Sequence, residues 1–118
     1  MDLVSVRDLA VPAVIGVHPW EREITQTLTV NVDLAADVRK AAATDDLADA
    51  LDYSAIAQTI TEVLQSGRFH LIETAAERLA ERILSDHPVT WLRLELRKPI
   101  PPTNYTATIT IERATPRP

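Results

Sequence analysis

Between Ile24 and Ala36 the chain alternates with a period of two: Ile24, Gln26, Leu28, Val30, Val32 and Leu34 fall on one side, Thr25, Thr27, Thr29, Asn31 and Asp33 on the other. A helix would scatter these apolar residues around its circumference, whereas a β-strand collects them on one face. The segment therefore predicts a strand in a sheet with one apolar face to be covered and one face that is wet or lines a polar interior. The rest of the chain has to supply partner strands and a cover.

Two later segments change the period to that of a helix. Ile56, Ile60, Val63 and Leu64 form an apolar stripe over Tyr53–Ser66, with Asp52 placed to cap its start and Gly67 to close its end. Ile72, Ala75, Ala76, Leu79, Ala80 and Ile83 form a second stripe, in a helix that ends near His87-Pro88. Partner strands flank these elements. Leu3 to Val17 is apolar and β-branched, with Pro12 requiring an edge position or a bulge and Gly16 opening a turn. Val17 to Glu23 reads as a polar connection. Leu92, Leu94 and Leu96 alternate within Val89–Lys98, and Asn104–Arg113 points Tyr105, Ala107, Ile109 and Ile111 inward. Between the first strand pair and the helices, a single helical turn is expected around Val38 to Ala43, followed by a loop at Thr44–Asp46.

This order predicts an α+β fold, ββααββ, with two helices on one face of a four-stranded antiparallel sheet. It occupies residues 1–113 as one domain, with a loose tail over 114–118. The outer strands are open edges, which a ring of further copies would close.

Composition narrows the function. At 118 residues, a chain can bury roughly two-thirds of the surface its unfolded form exposes, and it contains no cysteine for disulfide or thiolate chemistry. A net charge of −5, with no basic stripe, argues against a nucleic-acid partner. The two glycines cannot build a phosphate-cradling loop. His18, His70 and His87 lack metal-ligand spacing, so no metal site is expected. The opening residues, with Asp2 and Arg7 in an apolar run, do not read as a signal peptide, and no run of about 20 apolar residues could span a membrane, which makes a cytoplasmic protein the expectation.

Four polar side chains stand out. Glu73 falls in the first turn of the second helix, at the border of the apolar stripe, where it could accept from a flat donor edge such as the amino and ring N–H groups of a pterin or guanine. The plainer role of such an acid is to complement the helix N-terminus, a contribution of a few tenths to about 1 kcal/mol. Lys98 has the parity of the leucines, which points its ammonium to the apolar side of the sheet. Glu21 and Tyr53, taken singly, read as a solvated loop acid and a packed ring.

Their ordered arrangement resembles the dihydroneopterin aldolase family over nearly the whole chain, Leu3 to Arg113. The resemblance rests on Ile15-Gly16-Val17 followed by Glu21 and Gln26; on Asp45-Asp46-Leu47 before Asp52-Tyr53; on Phe69-His70-Leu71-Ile72-Glu73 running into Ala76–Ala80; and on Lys98-Pro99. It implies the T-fold and an octamer of two tetrameric rings, with sites between neighbouring subunits. It further implies that the enzyme belongs to folate biosynthesis and uses no cofactor, metal or Schiff base. Glu73 resembles the acid that anchors the pterin, with the backbone near Asp52 and Ile72 reading the remaining edge. Lys98 resembles the catalytic lysine, Glu21 the acid completing the side-chain site, and Tyr53 a ring supplied by the adjacent subunit. The chain departs from many members at Val14-Ile15 and in the compact Pro99-Ile100-Pro101-Pro102 loop, both of which bear on the side-chain pocket. Two alternatives share the anchor. A dihydroneopterin triphosphate epimerase would draw a cationic patch from Arg22, Arg68 and Arg97, and a non-catalytic pterin- or purine-binding oligomer would dispense with the proton-transfer groups.

Overall fold

The computed structural model describes residues 1–116. Four strands, β1 (Leu3–Ala13), β2 (Gln26–Ala35), β3 (Trp91–Pro99) and β4 (Thr106–Ala114), form one antiparallel sheet in the order β1-β2-β3-β4. Between β2 and β3 run α1 (Arg39–Thr44), a short 3₁₀ turn at Leu47–Asp49, α2 (Tyr53–Gly67) and α3 (Ile72–Asp86). Helix α2 packs over β1, and α3 over β3 and β4, so both cover one face of the sheet. The expected tail lies partly outside the described residues; at its start, Ala114 closes β4 and the Thr115 N–H donates to the Thr90 carbonyl at 3.0 Å. Among the described residues, no helix is long and apolar enough to cross a membrane.

The covered face is the one the alternation marked. Leu28, Val30, Val32 and Leu34 of β2 meet Leu92, Leu94 and Leu96 of β3 and the stripes Ile56, Ile60, Val63, Leu64 and Ala75, Ala76, Leu79, Ala80, Ile83, all within one buried cluster. The small residues on α3 let that helix lie close to the sheet, and packing at this density makes each methylene count. Ile24 and Tyr105, assigned inward by parity, are exposed because each lies just outside its strand, where the pleat no longer dictates direction.

The opposite face also departs from a simple wet surface. Strand β1 carries a register shift between Val6 and Leu9, with Asp8 at φ 57°. This bulge turns Asp8 N–H onto Asn31 Oδ1 at 2.7 Å and sets Arg7 against Asp33, so Asn31 and Asp33 are buried although both face away from the helices. Pro12 is not the bulge; it pairs with Thr27 in β1, an edge strand, where its missing N–H costs no ladder bond on the open side.

Helix ends follow local chemistry. Asp52 caps α2 by accepting from Ala55 N–H at 3.0 Å. At the other end Gly67 is still helical, and it is Arg68 that takes the left-handed conformation, φ 48°. Gly67 is small for another reason: a Cβ there would collide with the Phe69 ring. Among the described residues no side chain caps α3, so its first N–H groups lack the usual side-chain acceptor.

Candidate functional site

The site begins where the sheet divides. The β2–β3 ladder stops at Thr29↔Arg97, whereas β1–β2 continues to Ala13↔Gln26 and β3–β4 to Pro99↔Thr106. Lys98 is one residue past the last rung of the central ladder, on the parity that faces the helices. In that opening its ammonium meets Glu21, with Nζ 2.7 Å from Oε2. Glu21 reaches this point from a 3₁₀ turn, Pro19–Glu23, that follows the turn at Gly16. Gly16 has φ 129°, and a Cβ on it would strike the Glu21 carboxylate, so the bare Cα is what allows the acid to fold inward.

Three further donors and acceptors fix the pair. Gln26 Nε2 donates to Glu21 Oε2 at 3.0 Å and to the Ile15 carbonyl at 2.8 Å, and the His18 N–H donates to Glu21 Oε1 at 3.2 Å. The Glu21 side chain retains 6% of its accessible surface and that of Lys98 13%. Burial alone pushes the Glu21 carboxyl up, but the hydrogen bonds from Lys98, Gln26 and the His18 backbone outweigh it and hold the carboxyl at about 2. Glu21 is therefore a fixed anion, not a solvated loop acid.

A folded-state value near 2, below the ordinary 4.5 of an unfolded chain, means that Glu21 adds stability above pH 4.5 and loses it as pH falls toward 2. Asp37, Glu77 and Asp86 are also held low by arginines, so acid lability has several sources. The Glu21 share is the difference between the protein and its Glu21→Gln variant. Urea unfolding from pH 6 to 3 is expected to show a shallower pH dependence in the variant; identical slopes would remove Glu21 from the account.

A cleft of ≈ 530 Å³ opens over this pair. One wall is the turn carrying Val17, His18, Trp20 and Glu21; the facing wall is the His70–Glu73 segment entering α3; Lys98 to Pro102 close the end. Lys98, Glu21, Glu73 and Ile72 all line this one cleft. Glu73 is exposed rather than half drawn inward, because the first turn of α3 overhangs the cleft instead of the sheet, and among the described residues it has no hydrogen-bond or ion-pair partner. Asp52 and Tyr53 do not line the cleft of their own chain; Asp52 is occupied as a helix cap and Tyr53 is 60% exposed.

Two further residues take roles at the site that their sequence positions do not show. Gln26 has the parity of a core residue, and only the fold shows that its amide holds Glu21. Arg22 was a candidate for an anion patch, yet its guanidinium donates to the carbonyls of Gly16, Phe69 and Arg68. Arg97 does not line the cleft and lies 3.9 Å from Glu95. The cationic patch expected of a triphosphate site is therefore not assembled by these two residues. Among the described residues, no three His, Asp or Glu side chains converge as metal ligands.

The antiparallel ββααββ sheet with helices on one face is the architecture of T-fold proteins. The same fold is found at 12% identity in the urate oxidase of Bacillus sp. TB-90, with a TM-score of 0.65 over 98% of this chain and 45% of that one. Nearer relatives define the family. The profile described as FolB: Dihydroneopterin aldolase matches residues 4–113. The dihydroneopterin aldolase of Escherichia coli K12 is 42% identical over 99 residues, covering 84% of this chain and 81% of the relative. That of Streptomyces coelicolor is 38% identical over 102 residues, 86% of each chain. The crystal structure of the E. coli enzyme in complex with neopterin superimposes with a TM-score of 0.92 at 39% identity, covering 97% of this chain and all of that one. The chain belongs to the dihydroneopterin aldolase family.

Proposed function

We propose that the cleft binds 7,8-dihydroneopterin and cleaves it to 6-hydroxymethyl-7,8-dihydropterin and glycolaldehyde, a step of folate biosynthesis in the cytoplasm. The observation that carries this reading is the meeting of a carboxylate without a partner among the described residues, Glu73, and a buried ammonium–carboxylate pair, Lys98–Glu21, around one cleft. The first suits the amino and ring N–H edge of a pterin, and the uncapped N–H groups at the start of α3, beginning with Ile72, suit its carbonyl.

The substrate supplies its own electron sink. Its C=N bond stands next to the trihydroxypropyl chain. When the hydroxyl on the second side-chain carbon loses its proton, the bond to the first carbon breaks and its electron pair moves into the C=N. Glycolaldehyde leaves, the electron pair returns from the ring to the first side-chain carbon as the C=N re-forms, and that carbon takes up one proton, matching the one lost from the hydroxyl, to give the hydroxymethyl product. No Schiff base or metal is required in this scheme. Lys98, directly or through a water, is placed to move these protons, and Glu21 holds its ammonium in the cleft. Tyr53, exposed on its own chain, is assigned to the cleft of a neighbouring copy in a ring closed through the open edges of β1 and β4, two rings forming an octamer. Re-addition of glycolaldehyde to the opposite face would epimerise the chain to 7,8-dihydromonapterin.

The deciding experiment mixes the purified protein with 7,8-dihydroneopterin in the presence of a chelator and separates the pterins by chromatography. The expected result is 6-hydroxymethyl-7,8-dihydropterin with an equal amount of glycolaldehyde. Tight pterin binding with no cleavage would overturn the aldolase reading in favour of a binding protein, and turnover confined to the triphosphate would replace it with the epimerase.

A further inference from the structure

The two walls of the cleft come from segments almost 50 positions apart, and one side chain ties them together. Arg22 Nη1 donates to the Gly16 and Phe69 carbonyls, each at 3.0 Å, and Nη2 donates to the Arg68 carbonyl at 2.6 Å. The backbone adds one bond, Gly16 N–H to the Phe69 carbonyl at 3.3 Å. The acceptors on the far wall are available because Arg68 adopts the left-handed conformation, which ends α2 and turns the next peptides out of helical register. From there the chain runs through His70, Leu71 and Ile72 to Glu73. On the near wall, Arg22 follows Glu21 in the same 3₁₀ turn, where successive side chains point about 120° apart. One enters the cleft and the other enters the seam between the walls, so a rotation that released Arg22 would also move Glu21.

We propose that Arg22 is a positioning residue that sets the separation between the ring anchor, Glu73, and the reacting end, Glu21–Lys98. The inference rests on the aldolase reading for its kinetic consequence but not for the brace itself. Each half of the site survives loss of Arg22: Glu73 keeps its helix, and Glu21 keeps Lys98, Gln26 and the His18 N–H. What is lost is their mutual register. A ring held at Glu73 would then present its side chain to Lys98 out of line, and misplacement on the order of 1 Å costs about 10²-fold in rate. Lysine can replace the fork only in part, since a single ammonium lacks the planar, divergent N–H groups that span three carbonyls.

The test compares the protein with Arg22→Ala and Arg22→Lys. Hydrogen exchange read by mass spectrometry is expected to accelerate by about tenfold in peptides spanning 14–20 and 68–72, with β3 and the middle of α2 unchanged. The kcat for 7,8-dihydroneopterin is expected to fall 10- to 100-fold in Arg22→Ala, roughly the cost of misalignment, while affinity for a pterin lacking the side chain changes less than about threefold. Arg22→Lys should fold normally and recover part of the rate. Unchanged exchange at both walls, unchanged kcat, or equal losses of pterin affinity and kcat would each overturn the proposal. A parent protein that binds pterin without cleaving it would instead sink the aldolase reading, leaving the exchange and the affinities of side-chain-bearing and side-chain-free pterins to decide the brace.

Discussion

Replacing Lys98 by alanine is expected to lower turnover of 7,8-dihydroneopterin by about 10²- to 10⁴-fold, the usual range for removing a positioned proton-transfer group. Pterin affinity should change little, because the proposed anchor, Glu73, lies on a wall of the cleft separate from the Lys98–Pro102 segment that closes its end. The loss should appear in kcat, with KM close to that of the parent. Removing the ammonium also leaves Glu21 buried without its cation, a defect that costs about 3 kcal/mol or more when an ion pair of this kind is broken from one side. A double variant, Lys98→Met with Glu21→Gln, removes both charges and keeps most of the packing, so it should regain stability while remaining inactive. Rates and melting temperatures of the three proteins separate chemistry from folding. Turnover within a few-fold of the parent in either Lys98 variant would remove Lys98 from the mechanism.

Glu73→Ala is expected to act in the opposite sense. A carboxylate that accepts two N–H bonds from the pterin edge contributes about 1.5–3 kcal/mol per bond to a charged acceptor, so affinity should fall by roughly 10²- to 10⁴-fold. Fluorescence titration with a pterin lacking the side chain reads this directly. Stability should hardly change, since Glu73 is exposed and has no partner among the described residues. At saturating substrate, kcat should recover further than in the Lys98 variants. Unimpaired pterin binding by Glu73→Ala would reduce the residue to a charge at the start of a helix, a role worth at most about 1 kcal/mol.

The contrast between these two variants rests on separate placement of the groups, and that placement was only half legible in the chain. Lys98 could be aimed from its sequence because strand parity is strict: sharing the phase of Leu92, Leu94 and Leu96, it had to face the helices. Glu21 could not, because a residue in a connection carries no period. Its inward fold depends on the absence of a Cβ at Gly16 and on Gln26, whose parity placed it in the core without showing what its amide would hold. Arg22 shows the same limit in reverse. An arginine beside a candidate anion site reads as a cation for that anion, and only the folded chain reveals three carbonyls already waiting for it, two at the Arg68 turn and one at Gly16.

What the sequence determined by itself was the architecture. The period of two in Ile24–Ala36 and Val89–Lys98 and the helical stripes between them admit one simple packing, since each apolar face has a single partner of matching size. Local patterns suffice for this because burial is averaged over many residues, and an error at one position, such as Ile24 or Tyr105, leaves the rest standing. The site was decided by tertiary structure. It depends on where the β2–β3 ladder stops, on which side of the Pro19–Glu23 turn each charge emerges, and on a seam between segments brought together only when the helices cover the sheet. Hydrogen bonds at about 3 Å have no tolerance for averaging, so a function built from a few of them becomes visible only once the chain has closed around it.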